Sequence, residues 1–308
     1  MTAPVSVVIP LHNAARHIGA ALDSIAWQTL APAETIVIDD GSTDGGGAIV
    51  AARDTARLIA QPNRGVAAAR NAGLAAAAQR FVAFLDADDL WCPGHLAGLV
   101  ELAGRFPDAA VFGAHFLPVP AEATLEDARR AETPEGHLRR ADYVAEAASG
   151  MPPFFTSSCM VRAEAARELG GFPEGESHGE DMALWIRLSE RDGAAATTST
   201  GALYRRSGTG LTGRTVAVPD AAMRAIDALL PAARPERRDA LRALRSRLAL
   251  AHTLDALARG DRACARAALA EAGSAFAARR LAARLLLALP APAARAAFTL
   301  RTALMGHA

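Results

Sequence analysis

The sequence predicts an α/β fold: a Rossmann-like, mostly parallel central sheet flanked by helices, with an α-helical C-terminal extension. Three observations predict it. In the first 116 residues, short β-branched runs alternate with segments of helical period. The connections between them are short, as in right-handed βαβ units. From Pro219 onward the pattern is helical, with Gly260 and Pro290 marking breaks. This divides the chain into residues 1–218 and an α-helical region, 219–308.

Each element has its own signal. Val5–Ile9 is a buried strand ending at Pro10, and residues 14–27 place Ile18, Leu22, Ile25 and Trp27 near one helical face. Thr35–Ile38 is a second strand, stopped by Asp39-Asp40-Gly41; Ser42 or Thr43 can cap a helix to about residue 53. Arg57–Ala60 is a third strand and residues 65–78 an Ala-rich helix. Phe81–Leu85 is a fourth strand running into an acidic cluster, followed by a helix after Pro93 and a strand over 109–116. Residues 117–150 read as a long polar excursion, 154–162 as strand-like and 180–191 as an amphipathic helix. Leu250–Ala272 reads as a helical hairpin about Arg259-Gly260-Asp261.

Composition narrows the function. Half of the 308 residues are apolar, enough for a large core. The zero net charge gives no whole-chain field for nucleic acid. Every basic side chain is Arg, and these concentrate in residues 220–308, opposite an acidic excess in 1–219. Such a tail is either a set of solvated helix faces or a contact for anionic lipid or a phosphorylated acceptor. The three cysteines form no CxxC pair, so neither a disulfide framework nor a structural zinc site is predicted. No signal peptide precedes the first strand, and the longest apolar stretch, near Leu281–Leu289, is too short and Arg-interrupted to span a bilayer. The expectation is a soluble cytoplasmic protein, with peripheral contact at the inner membrane face through the Arg-rich region as the variant of it.

The chemistry gathers where strands end, the edge at which open α/β sheets bind ligands. Asp86-Ala87-Asp88-Asp89 follows a buried strand directly, and close carboxylates repel unless a cation lies between them. Mg²⁺ or Mn²⁺ suits such hard oxygen ligands; the plain alternative is a polar turn. Asp40 ends an earlier strand, where a carboxylate can accept an N–H from uracil, thymine or guanine. Its plain alternative is a turn or helix cap. Glu180-Asp181 opens a helix, where acidic residues are also favoured by the dipole. His178, just before it, is a candidate acceptor contact.

Taken together, Val8–Asn13, Ile38–Asp44, Asn63–Val66, Ala69–Gly73, Phe84–Asp89, Gly170–Phe172 and Gly179–Asp181 resemble the family 2 glycosyltransferases, whose domain has the GT-A fold. The resemblance runs through residues 4–210. It implies an inverting, metal-dependent transfer of sugar from a UDP-, dTDP- or GDP-linked donor to a hydroxyl acceptor, saccharide or lipid-linked, in bacterial surface polysaccharide or glycoconjugate synthesis. By position, Pro10 and His12 line the base and ribose site, Asp40 reads the base, and Arg70 approaches the nucleotide. Asp86 and Asp88 match the DXD motif, Asp86 toward ribose or metal and Asp88 as metal ligand, with Mn²⁺ or Mg²⁺ as cofactor. Asp89 is expected to cap the next turn. Asp181 matches the general base and Glu180 shares the acceptor site. Two departures stand out: Ala183 where relatives carry an acid, and Tyr204-Arg205-Arg206-Ser207 where relatives often have Tyr-Arg-x-His. Arg205 or Arg206 is the candidate to replace the positive charge. Rival readings are a catalytically silent sugar-nucleotide-binding module and a sugar-nucleotide pyrophosphorylase. The latter wants a Gly-rich basic loop where this chain has Pro10–Asn13.

Overall fold

The computed structural model describes residues 2–133, 136–176, 178–206, 217–273 and 276–288. The N-terminal half alternates as β1 (Ala3–Leu11), α1 (Ala15–Ala26), β2 (Pro32–Asp40), α2 (Gly46–Ala51), β3 (Arg57–Gln61), α3 (Val66–Ala76) and β4 (Phe81–Phe84). Then come β5 (Leu90–Trp91), α4 (His95–Arg105), β6 (Val111–Pro120), α5 (Leu125–Ala131), β7 (Leu138–Ala141) and α6 (Tyr143–Ser149). A 3₁₀ turn, Thr156–Ser158, leads to β8 (Cys159–Arg162), α7 (Ala163–Glu168), α8 (Glu180–Asp192) and β9 (Ala194–Arg206). The C-terminal helices are α9 (Ala221–Leu229), α10 (Pro235–Arg259), α11 (Arg262–Glu271) and α12 (Ala277–Ala288).

Among the described residues, the strands form one sheet in the order β3-β2-β1-β4-β8-β6-β9-β5, with β7 also on β9. The β3-β2-β1-β4 half is parallel, as the βαβ pattern predicts. β8 then enters antiparallel to both β4 and β6, so the sheet is mixed. The apolar run over 154–162 carries no sign of strand direction, because side chains alternate identically either way. Only its last four residues are strand. The excursion over 117–150 holds the end of β6 with α5, β7 and α6.

β1 shows why the centre is stable. Val5, Val7, Ile9 and Leu11 face one apolar cluster, with Leu22 of α1 and Leu96 and Leu99 of α4. Val8 faces the other, with Leu74 of α3 and Leu184 and Trp185 of α8. Helices thus cover both faces, and the strand reads as a near-continuous apolar run. Pro10 fits there because β4 pairs only as far as Val8 opposite Phe84, so its missing N–H breaks no bond on that side.

The second cluster continues across the expected boundary at residue 218. Ala222 and Ile226 of α9 and Leu241 and Leu244 of α10 share it with Phe84, Tyr143 and Trp185. The distal half of α10 packs instead on α11 and α12, through Leu250, Leu269 and Ala283. The predicted hairpin is present: α10 ends at Gly260, φ 81°, and the Asp261 side chain caps α11 through Cys264 N–H. No helix among the described residues is long and apolar enough to cross a membrane.

Candidate active site

The ends of β1, β2 and β4 set the floor of the site. Asp40, the last residue of β2, is buried, and its carboxylate organises the turn into α3. Oδ1 accepts from Gln61 Nε2 at 2.7 Å and from Arg64 N–H at 2.9 Å, while Oδ2 accepts from Gly65 N–H at 2.8 Å. A carboxylate offers about four acceptor positions, which leaves one for a further N–H. His12 Nδ1 donates to the Asp40 carbonyl at 2.9 Å, and its other nitrogen lies 3.2 Å from the Asn63 amide. Pro10 is buried beside them, opposite Ile38. Capping at α2 differs from expectation. Gly45, φ 86°, is its N-cap, the Ser42 hydroxyl accepts instead from Asn13 N–H, and Asp44 accepts from Gly46 N–H.

Arg70, on α3, is 4 % exposed and lies beneath the site. One terminal nitrogen donates to Asp86 at 2.8 Å and the other to Glu180 at 2.9 Å. Its guanidinium also lies 5.5 Å from the centre of the Phe172 ring. The nucleotide-facing role expected of Arg70 therefore gives way to a buried bridge between two acidic segments. Burial opposes its charge, yet Asp86, Glu180 and Asp181 together hold it above the ordinary arginine value. Glu180 is pushed up, first by burial and then by Asp181, and Arg70 offsets this only in part.

Two consecutive hydroxyls, which the sequence reading missed, join the acidic groups. Thr156 Oγ1 donates to Asp181 Oδ2 at 2.8 Å. Ser157 Oγ donates to Asp89 Oδ2 at 2.6 Å and accepts from Asp86 N–H at 3.0 Å. Both residues are fully or almost fully buried. Asp89 is not the expected cap, because the chain re-enters the sheet at Leu90 instead of starting a helix. It is buried, and it also accepts from Arg205 N–H at 2.9 Å. Burial, then the charges of Asp86 and Asp88, raise its carboxyl well above the usual range. Arg205, a candidate for the missing positive charge, comes to this loop and donates through Nε to the Asp88 carbonyl. Ser207 lies outside the described residues.

The Glu180-Asp181 pair owes its place to Gly179. That residue caps α8 with φ 77°, and a Cβ on it would lie 2.9 Å from Asp220 Oδ2 and 3.0 Å from Ala222 N. Asp220 caps α9 and meets His252 Nε2 of α10 at 2.7 Å, so the C-terminal helices back the α8 terminus directly. His178 is half-buried immediately before this cap. Asp86 and Asp88 are partly exposed, as is Asp181. Among the described residues no three His, Cys, Asp or Glu side chains converge as a metal cage. A pair of carboxylates two residues apart suits an ion that keeps waters and takes phosphate oxygens, as Mg²⁺ and Mn²⁺ do.

A helix-flanked, mixed sheet with acidic side chains gathered beyond its strand ends has the architecture of a GT-A glycosyltransferase domain, and comparison with known proteins places it in a family. The sequence profile described as Glycosyl transferase family 2 matches residues 6–170, more than half the chain, and the protein belongs to that family. An Escherichia coli relative, named UDP-Glc:alpha-D-GlcNAc-diphosphoundecaprenol beta-1,3-glucosyltransferase WfgD, is 39% identical over 95 residues, 30% of this chain and 38% of that protein. The chain spans about a third of the length of the curated relatives it matches. Staphylococcus aureus TarS 1-349 in complex with UDP-GlcNAc superposes with TM-score 0.65 at 17% identity, covering 99% of this chain and 92% of that one. A Pyrobaculum calidifontis mannosyltransferase in complex with GDP-Man and Mn²⁺ gives 0.56 at 24% identity, covering 99% and 86%. These two likenesses establish the shared GT-A fold.

Proposed function

We propose that this glycosyltransferase transfers a sugar, with inversion, from a UDP-, dTDP- or GDP-linked donor to an acceptor hydroxyl, in bacterial surface polysaccharide or glycoconjugate synthesis. The observation that carries this reading is the junction of two acidic segments: Arg70 bridges Asp86 and Glu180, while neighbouring Thr156 and Ser157 grip Asp181 and the Asp86–Asp89 loop. Asp181 takes the acceptor proton as the hydroxyl attacks the anomeric carbon. Asp40, Pro10 and His12 receive the nucleoside, with the base N–H on the remaining acceptor position of Asp40. Asp86 and Asp88 would hold Mn²⁺ or Mg²⁺, and the charge of that ion would offset charge on the leaving diphosphate. Glu180 and His178 border the acceptor.

The test is hydrolysis and transfer across a panel of nucleotide sugars with and without Mn²⁺. Asp88→Asn is expected to raise the Mn²⁺ concentration for half-maximal hydrolysis by about tenfold or more, a loss of at least ~1.4 kcal/mol of metal binding. Metal-independent turnover, or an unchanged Mn²⁺ requirement in that variant, refutes the assignment. Binding of donors without turnover of any would point instead to a silent binding module.

Peripheral membrane contact belongs to the same proposal. Leu281 and Leu285 on α12 are 58% and 61% exposed, one turn apart, with Arg280 and Arg284 beside them and no acid on the helix. Basic amphipathic helices of this kind lie on anionic bilayers. Wild type should co-sediment with phosphatidylglycerol vesicles, and Leu281→Glu with Leu285→Glu should lower the bound fraction about fivefold or more. Equal sedimentation of the variant, or none of the wild type, counts against it.

A further inference from the structure

The segment Met151–Thr156 connects two polar places. At one end Thr156 holds Asp181. At the other, Met151 and Pro152 roof a cleft of about 380 Å³ walled by His115 of β6, Arg139 of β7, and Thr197 and Thr198 of β9. That volume lies within the range of small-ligand sites.

The His115 side of the cleft shares a face of the sheet with the helix that carries Asp181, while Phe116 lines it from the other face. Gly113 and His115 alternate along β6 and so point to the same side. A Cβ on Gly113 would lie 2.2 Å from the Phe154 ring, so Phe154 packs flat on the strand there. Phe154 falls within Met151–Thr156 and anchors that segment on this face, while the next residue, Phe155, packs against Phe116 on the other. Opposite His115 the pairing with β9 shifts register, Ala114 matching Thr197 and His115 matching Thr200, and the bulged Thr198 and Ser199 widen the cleft. From Pro153 to Thr156 is three residues, at most about 10–11 Å of extended chain.

The walls select the ligand's chemistry. Both terminal nitrogens of Arg139 are engaged by Glu146 at 2.6 Å, so the cleft presents no unpaired guanidinium to a phosphate or carboxylate. The rest of the lining mixes apolar Phe116, Met151, Pro152 and Pro153 with an imidazole and two threonines; the Thr197 hydroxyl is bonded to Ser199, while that of Thr198 accepts from His137 N–H and keeps its own proton to donate. A sugar ring has the same mixture, with C–H faces and a hydroxyl rim, whereas an acyl chain asks for walls without polar groups. We propose that this cleft is an acceptor subsite for a neutral sugar ring, one or two residues inward from the ring whose hydroxyl meets Asp181. The acceptor is then a neutral oligosaccharide of at least two rings. This rests on the reading of Asp181 as the base.

The test is saturation-transfer NMR with cellobiose, laminaribiose and chitobiose and their monosaccharides. Proteins compared are the wild type, Thr198→Trp and His115→Ala. Thr198 is exposed, so a tryptophan there fills the mouth without disturbing a core. At least one disaccharide should bind wild type more tightly than its monosaccharide. Its dissociation constant should rise about tenfold in Thr198→Trp and in His115→Ala. Equal binding by wild type and both cleft variants, or no preference for any disaccharide, overturns the subsite. Donor hydrolysis measured in parallel keeps the two readings apart: its absence from wild type refutes sugar transfer, while the disaccharide data alone decide the cleft.

Discussion

Asp181→Asn should lower the transfer rate by about 10²–10⁴-fold, the range that a positioned general base supplies. Donor affinity should be nearly unchanged, because the hydrogen bonds of the Asp181 side chain run to Thr156 and Met182 and none to the Asp40 turn. Asparagine keeps the size of aspartate, and its amide oxygen can still accept from Thr156 Oγ1, now at 2.8 Å. The α8 terminus is set by Gly179 and Asp220, which the substitution leaves intact. The protein should therefore remain folded and bind donor, with kcat and kcat/KM falling together, as for an interaction made only in the transition state. Single-turnover transfer and donor titration check it. A rate within about tenfold of wild type would remove Asp181 from the role of base and leave Glu180 or a bound water to be tested.

Much of this site was legible in the sequence, and the division follows a physical line. Asp40, Asp86, Asp88 and Asp181 stand out as candidates because each sits at the end of a strongly patterned element, beyond a buried strand or in the first turn of an amphipathic helix. Thr156 and Ser157 could not. A lone hydroxyl has no periodicity, and their partners lie 25 to 71 residues away. The resemblance carries Arg70 to the nucleotide, and its bridge to Asp86 and Glu180 could not be read because these partners are 16 and 110 residues distant. Asp89 was misread for a related reason: an acid before Leu90-Trp91 has the composition of a turn, and only the return of β9 shows that it is enclosed. The same holds at the level of the fold. Parallel order in the first four strands follows from the helices between them, whereas β8 enters after a long excursion whose length constrains direction little. The C-terminal helices were set apart on the change to a helical pattern at Pro219, yet Ile226 and Leu241 lie in the main apolar cluster, a contact that no local pattern announces.

Arg70→Met should destabilise the protein by about 3–5 kcal/mol at neutral pH, the cost of leaving buried carboxylates without their counter-charge. The Arg70 side chain is 5% exposed and that of Glu180 8%, so water cannot replace the guanidinium; Asp86, at 27%, can recover part of its solvation. Glu180 already has its carboxyl raised by burial and by Asp181, with Arg70 pulling it down. Removing Arg70 raises it further. A carboxyl whose folded pKa lies above its unfolded value favours the folded state while protonated, and that contribution is lost as pH rises through the folded pKa. The deficit of Arg70→Met should therefore be largest above that pKa and shrink as the solution is acidified toward the unfolded glutamate value. Adding Glu180→Gln removes the stranded charge, so the double variant should recover much of the loss at neutral pH, giving a coupling well above that of an exposed ion pair. Urea denaturation of the wild type, both single variants and the double variant at two pH values measures all of this. If Arg70→Met costs under about 1 kcal/mol, or if Glu180→Gln adds to the loss instead of relieving it, the bridge does not tie the α8 terminus to the Asp86 loop. The convergence of acidic groups on which the transfer reaction is built would then need another cause.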